Sequence, residues 1–375
     1  MRATILLAQG ICCLLAVAKR ILTKILKQEK KDLAIFLHSP LNSDGHNRRF
    51  KVFYQFFNRD KISYAEFGYL DEKTIHKHYD NPRYKQYLTY AHIVWIRAFQ
   101  IPKAIEYKTV ILQRNLFPIY PDYKTPVFEK ILRKQNKHII LDIWDPVHLW
   151  NPTLTYATFK YVDKLTVNTS RFEDVFKKYF PAESIFVWPI AVDFNKYAIN
   201  KGEKSDVIKL FYTGSESNTK QYLNPLIPII ENLAKTYKLE LTVMGKYAPK
   251  SENIEITHHT WNDALFSKLI SEATIGLYPN FNINKNKKFA VAGKVLDYMG
   301  SCLPMIGADQ GLPDGVIASN IMIVANAIED WEIKLPIAIE EYSDLREKAQ
   351  CGYTFVQKNL NLEKSYENLL KIIQS

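Results

Sequence analysis

Short apolar runs alternate with helical patterns along this chain, stop at a polar stretch, and then start again. A chain patterned in this way folds into parallel α/β layers, because each apolar strand must be covered on both faces by the helices between strands. The expected strands of the first half are Asp32–Ser39, Ile62–Phe67, Thr109–Arg114, His138–Ile143, Lys164–Thr169 and Ile185–Trp188. Those of the second half are Ile208–Gly214, Leu239–Gly245, Ile254–His258, Ile275–Pro279, Pro304–Ala308 and Ile321–Val324. Ala91–Gln100 reads as helix. Ser170-Arg171-Phe172-Glu173 reads as a capping box opening another.

The polar stretch Asn195–Asp206 reads as a linker. The expected organisation is an N-terminal segment 1–31, a Rossmann-like domain 32–195, a linker 196–207, a second Rossmann-like domain 208–358 and a C-terminal helix 359–375. At 375 residues the chain has enough length for two such cores. Open parallel sheets bind ligands at the carboxyl ends of their strands, so the expected α/β architecture is two Rossmann-like domains facing a central cleft.

Net charge is +11, and its placement is uneven. The first 31 residues hold Arg2, Lys19, Arg20, Lys24, Lys27, Lys30 and Lys31 against Glu29 alone. A nucleic-acid binder spreads basic and aromatic residues over a folded face. A basic cluster beside the uncharged run Ala3–Ala18 points to anionic lipid instead. That run is shorter than the ~20 residues of a membrane span, and no small-x-small cleavage site leads into a plausible mature start, since Lys19 and Arg20 follow directly. Ile21, Leu22, Ile25 and Leu26 then share a helical face flanked by lysines, as in an interfacial helix. A helix packed on the first domain with solvated lysines fits the same residues. Cys12, Cys13, Cys302 and Cys351 form no disulfide or zinc pattern, so the expected compartment is the cytoplasm, at the inner face of the cell membrane if the segment associates.

The stretch with most chemical content runs from Gly293 to Gly307: Gly293-Lys294-Val295-Leu296-Asp297-Tyr298-Met299-Gly300-Ser301-Cys302-Leu303-Pro304-Met305-Ile306-Gly307. It reads as a helix, a tight turn and a buried strand. A helix N-terminus favours an anion such as diphosphate, and Lys294 adds positive charge there. Asp297, three residues on, shares its face and suits a ribose diol.

This string resembles the Lys-x-x-Glu-Tyr-Met-x-x-Gly-x-Pro-Val-Ile signature of the group 1 (family 4) retaining glycosyltransferases of the GT-B fold, with Asp297 for the Glu and Cys302 for the Gly. Lys209–Ser215 is similar to the strand and Gly-turn opening that family's donor domain, and Trp261 with Ile275–Pro279 to its base-side loop and following strand. Gly307–Pro313 is similar to its strand end. In the first half, Val110–Pro118 and Leu141–Pro146 are similar to acceptor-side elements, and Ser43-Asp44-Gly45-His46 followed by Arg48 and Arg49 to the entry loop. Phe289 stands where the family has the first of two glutamates, Ser215 where it has a phosphate-binding Arg, and Trp144 replaces an acid.

The resemblance implies a nucleotide-sugar donor held by Gly214, Ser215, Lys220, Trp261, Asn282, Asn284, Lys294, Asp297 and Tyr298. It implies a saccharide or lipid-linked acceptor near Gly45, Arg48, Arg114 and Asp145, with Asp145 and Lys294 as catalytic residues. No metal or other cofactor is expected: Asp142-Ile143-Trp144-Asp145 is not Asp-x-Asp, and His76, His78, His258 and His259 lack ligand spacing. Lys285, Lys287 and Lys288 read as a solvated loop. A sugar-nucleotide epimerase or a non-catalytic scaffold of the same fold would share the pattern. No P-loop, dinucleotide Gly-x-Gly-x-x-Gly or nucleophile elbow is present.

Overall fold

The computed structural model describes residues 2–71, 73–74, 77–78, 81–116, 124–136, 138–202, 206–281, 289 and 291–375. The chain divides into two compact units, Met1–Ile190 with Tyr366–Ser375, and Ala191–Ser365.

The first unit holds a parallel sheet of β1 (Lys31–Phe36), β2 (Tyr64–Phe67), β3 (Tyr107–Gln113), β4 (His138–Ile143), β5 (Lys164–Val167) and β6 (Ile185–Val187), in the order β2-β1-β3-β4-β5-β6. Leu33–Leu37, Val110–Leu112 and Ile139–Ile143 are continuous buried runs, as strands covered on both faces require. Register follows from these runs, with Ile35 opposite Ile111 and Ile111 opposite Ile140. A buried ion pair ties this sheet to its helices. Arg49 donates to Asp142 at 2.5 and 3.0 Å and to the Trp188 carbonyl at 2.8 Å, its guanidinium 3.7 Å from the Trp188 ring.

The second unit holds β7 (Val207–Thr213), β8 (Lys238–Met244), β9 (Glu255–His259), β10 (Ile275–Tyr278), β11 (Met305–Gly307) and β12 (Ile323–Val324), also parallel, in the order β12-β11-β10-β7-β8-β9. Its core gathers β7, β8 and β10 with Leu226, Ile230, Trp331 and Leu335 from covering helices.

Every expected strand is present, with ends shifted by a few residues. The structure adds local detail. The helix Ser170–Phe176 takes Thr169 as its N-cap, so the capping box read from Ser170 is out of register by one residue. The polar stretch after Asn195 belongs to the second unit. There Ala198 N–H donates to Ser267 Oγ at 2.8 Å, and the Asn200 amide donates to the carbonyls of Ile270 and Ala273, closing the end of the helix Asp263–Glu272. The Asn200 side chain thus serves as a cap on that helix. Finally, the helix Leu362–Gln374 returns its last turns to the first unit: the Tyr366 hydroxyl bonds Asp60 at 2.8 Å, and its ring stacks on Phe56 at 5.0 Å.

The N-terminal helix Arg2–Ile25 packs along the helix Arg83–Gln100 and the segment Ile101–Glu106 of the first unit.

Candidate functional site

Strand order places one crevice in each sheet. Ligands bind outside the carboxyl ends of strands where neighbouring connections run in opposite directions. In the second sheet that point lies between β7 and β10, and in the first between β1 and β3.

In the second unit, β7 ends at Thr213 and the chain turns at Gly214, whose N–H donates to the Met244 carbonyl at 3.2 Å. A Cβ on the neighbouring Gly245 would lie 2.3 Å from the Gly214 carbonyl oxygen. Only a glycine lets the two strand ends approach so closely. Ser215 follows, exposed, and caps the short turn Glu216–Asn218. Lys220 is turned back onto Glu216 at 2.6 Å, and this hydrogen-bonded pairing raises its pKa.

Across the switch point, the helix Gly293–Ser301 starts after Ala292, a residue with no side-chain cap to offer. The Lys294 ammonium lies 4.0 Å over the Tyr212 ring, and a Cβ on Gly214 would meet the Tyr212 hydroxyl at 2.6 Å. Tyr212 therefore joins the Gly214 turn to the start of the helix. The helix ends at Cys302 in the left-handed region, φ 58°, where the family signature has glycine. Arg346 donates to the Cys302 carbonyl at 3.0 Å, one of the bonds holding that turn.

Two other donor-side residues on this helix are in the core. Asp297 is buried and accepts the Tyr197 hydroxyl at 2.5 Å. Tyr298 is buried, with its hydroxyl directed at the carbonyls of Leu277 and Phe211 at 3.3 and 3.4 Å, so it braces the sheet instead of contacting a donor. Trp261 follows β9 at the sheet edge, away from the switch point in strand order. It is 49% exposed, packs in a tilted arrangement on the Phe266 ring at 4.8 Å and donates to Asp263 at 2.7 Å. Asn282 and Asn284, like Lys285, Lys287 and Lys288, lie outside the described residues. The loops flanking them are joined where Tyr278 donates to the Gln310 carbonyl at 2.9 Å and Gln310 to the Asn280 carbonyl at 3.2 Å.

In the first unit, Gln113 at the end of β3 organises the crevice. Its Oε1 accepts from the amides of His38 and Ser39 at 3.0 and 2.9 Å, and its Nε2 donates to the Gly45 carbonyl at 3.4 Å. Gly45 lies in the helix Asp44–Arg49, where a Cβ would sit 2.6 Å from Ser39 Oγ and 3.0 Å from the Trp144 ring. The loops after β1, β3 and β4 thus converge. Arg114, left-handed at φ 59°, forms an ion pair with Asp145, and its guanidinium lies 5.2 Å from Trp144 and 5.6 Å from Trp150. Arg48 instead pairs with Asp44 on its own helix at 2.6 Å.

His38 carries no motif that singles it out in the sequence. Burial, with the Arg114 and Arg97 guanidiniums adding to it, holds its pKa well below the ordinary histidine value. Trp144 Nε1, Asn115 Oδ1 and Asn168 Oδ1, at the ends of β4, β3 and β5, are buried without a hydrogen-bond partner among the described residues. Buried polar atoms in native folds are ordinarily satisfied by protein groups or by ordered water. Tyr197 is likewise silent in the sequence, and Gln113, although it lies in the Val110–Pro118 stretch noted there, has partners about 75 residues away that the sequence does not indicate.

No protein-family model matches the chain, and no curated protein sequence matches it. Solved structures do. HepE from Anabaena, crystallised with UDP and glucose, is similar with a TM-score of 0.64 at 10% identity, over 92% of this chain and 100% of that one. Sucrose-phosphate synthase from Thermosynechococcus elongatus is similar with a TM-score of 0.65 at 11% identity, over 92% and 98%. WaaB, a lipopolysaccharide outer core galactosyltransferase, is similar with a TM-score of 0.58 at 14% identity, over 92% and 99%. With two six-stranded parallel sheets of Rossmann-like order, and with this likeness to solved structures over nearly their whole length, the chain has the GT-B fold.

Proposed function

We propose that the chain is a retaining glycosyltransferase that moves a sugar from a nucleotide sugar to a saccharide or lipid-linked acceptor in polysaccharide or glycolipid biosynthesis. The observation that carries this reading is the grouping of the Gly214 turn, Tyr212 and Lys294 at the start of the Gly293 helix, at the switch point of the second sheet.

Breaking a sugar–phosphate bond leaves negative charge on the diphosphate. Backbone amides at the helix start and the Lys294 ammonium stabilise that charge without rearranging. The acceptor oxygen bonds to the anomeric carbon on the leaving-group face as the carbon–oxygen bond to phosphate breaks. The acceptor proton passes to a leaving phosphate oxygen, so the proposed reaction needs neither a metal nor a dedicated base. Asp145, held by Arg114, orients the acceptor hydroxyl, with Trp144, Asn115 and Asn168 offering further polar contacts. UDP in the HepE crystals supports a uridine donor. The N-terminal helix and its basic residues support association with the inner face of the cell membrane, where a lipid-linked acceptor would lie.

The test is nucleotide release from a panel of nucleotide sugars with a lipid-linked acceptor extract. Acceptor-dependent release is the expected result. Conversion of a donor without acceptor would identify an epimerase, and no release together with no nucleotide binding would identify a scaffold. Cell fractionation at low salt checks the membrane part, which fails if all of the protein is soluble.

A further inference from the structure

The N-terminal helix Arg2–Ile25 is 24 residues long, and its segment Ala3–Ile25 is apolar enough to cross a bilayer. Its packing argues for another arrangement. Small residues at helical spacing, Ala8, Cys12 and Ala16, are buried on the side packed against the helix Arg83–Gln100 and the segment Ile101–Glu106. Lys19, farther along, forms an ion pair with the half-buried Glu106, and Lys31 approaches the same carboxylate at 3.9 Å. The segment Ile101–Glu106 runs directly into β3, a central strand of the first sheet. A helix fastened between Ala8 and Lys19 to an α/β domain cannot cross a bilayer unless it abandons these contacts.

The opposite side carries the large residues. Leu6, Leu7, Leu14, Val17, Ile21 and Ile25 are 52–72% exposed, and by helical rotation they lie within one face. Arg20 and Lys24 are exposed at the edge of that face, and Lys27 is exposed just beyond it. The supporting helix adds exposed Tyr84, Leu88 and Phe99 along a face of its own. An outward face of this size on a soluble monomer requires a cover. Its basic border selects an anionic one, since cationic side chains beside aliphatic ones match a charged lipid headgroup layer.

We propose that the Arg2–Ile25 helix is an in-plane membrane anchor: it stays docked on the first unit through Ala8, Cys12 and Ala16 and lays its leucine-rich face into an anionic bilayer surface. This rests on the membrane association proposed above and specifies its geometry. The helix seats the first unit, which carries the proposed acceptor residues, on the lipid plane.

The full-length chain, with exposed Cys13 and Cys351 replaced by serine, receives a fluorophore through Leu7→Cys, Leu14→Cys or Ile21→Cys. These positions repeat every seven residues along the outward face. Each form is bound to vesicles of phosphatidylethanolamine and phosphatidylglycerol and quenched by lipids brominated at graded depths. Equal, shallow quenching at all three positions is the expected result. A gradient from one leaflet to the other overturns the in-plane geometry while leaving membrane association standing. No binding to vesicles overturns both, and a dimer that dissociates on Leu14→Glu would assign the face to a second copy. In the wild-type background, Leu14→Glu and Val17→Glu together weaken partitioning by about tenfold or more with an unchanged circular dichroism melt, because both side chains are exposed in the folded chain.

Discussion

The Tyr197 hydroxyl donates a 2.5 Å hydrogen bond to the Asp297 carboxylate, 100 residues away in sequence. This bond fastens the stretch read as a linker to the helix that begins at Gly293. Tyr197 also lies where a Cβ on Gly300 would meet its ring, at 3.1 Å.

Removing the hydroxyl leaves a buried carboxylate short of one donor. Tyr197→Phe is expected to cost about 1.5–3 kcal/mol of stability, the range for hydrogen bonds to charged groups, measured by urea denaturation. Asp297→Ala is expected to raise the donor KM at least about tenfold beyond any change in Tyr197→Phe. Equal KM values in the two variants would confine Asp297 to anchoring the helix.

Lys294 carries the charge at the helix start. Lys294→Ala is expected to lower kcat for nucleotide release by about a hundredfold or more, the scale seen when one preorganised stabilising group is removed. The substitution also takes away the cation–π pair over Tyr212, worth about 0.5–2 kcal/mol, so the fall in turnover is compared at a temperature well below the variant's own melt. Unchanged turnover in the variant would remove Lys294 from the donor site.

The Arg49–Asp142 pair is fully buried in the first unit. Arg49→Ala strands a carboxylate in the core, and the expected loss is about 3–5 kcal/mol. Chemical denaturation reads this directly. A variant as stable as wild type would show that the pair is dispensable.

Glu129 gives the fold a pH dependence. Burial raises its carboxyl to about 7, although the Leu116 amide donates to it at 3.2 Å. An unfolded glutamate releases its proton near pH 4.3 (about that value in model peptides). Between these values the folded chain holds a proton that the unfolded chain has released, so this contribution to stability falls as pH rises through the window. Glu129→Gln keeps an acceptor for Leu116 and cannot ionise. Its Tm is expected to exceed wild type above pH 7 and to vary less between about pH 4.3 and 7. A wild-type pH profile retained in the variant would assign the dependence elsewhere.

Much of the architecture is legible in the residues. Strands such as Val110–Leu112 and Ile139–Ile143 declare themselves because a strand buried on both faces must be apolar throughout, a local property. The Gly214 turn and the helix at Lys294 are legible for the same reason: close backbone approach and an anion-favouring helix start are written in adjacent residues. Tertiary structure alone decided the rest. Whether Tyr298 faces a ligand or the sheet, whether Asn200 is a linker residue or a cap, and whether Arg48 or Gln113 organises the crevice all depend on partners brought together by folding. So does the fate of the N-terminal helix, whose apolar residues point both inward and outward. Sequence determines local propensity and burial pattern, while the pairing of polar atoms across distant strand ends is set only when the sheets have formed.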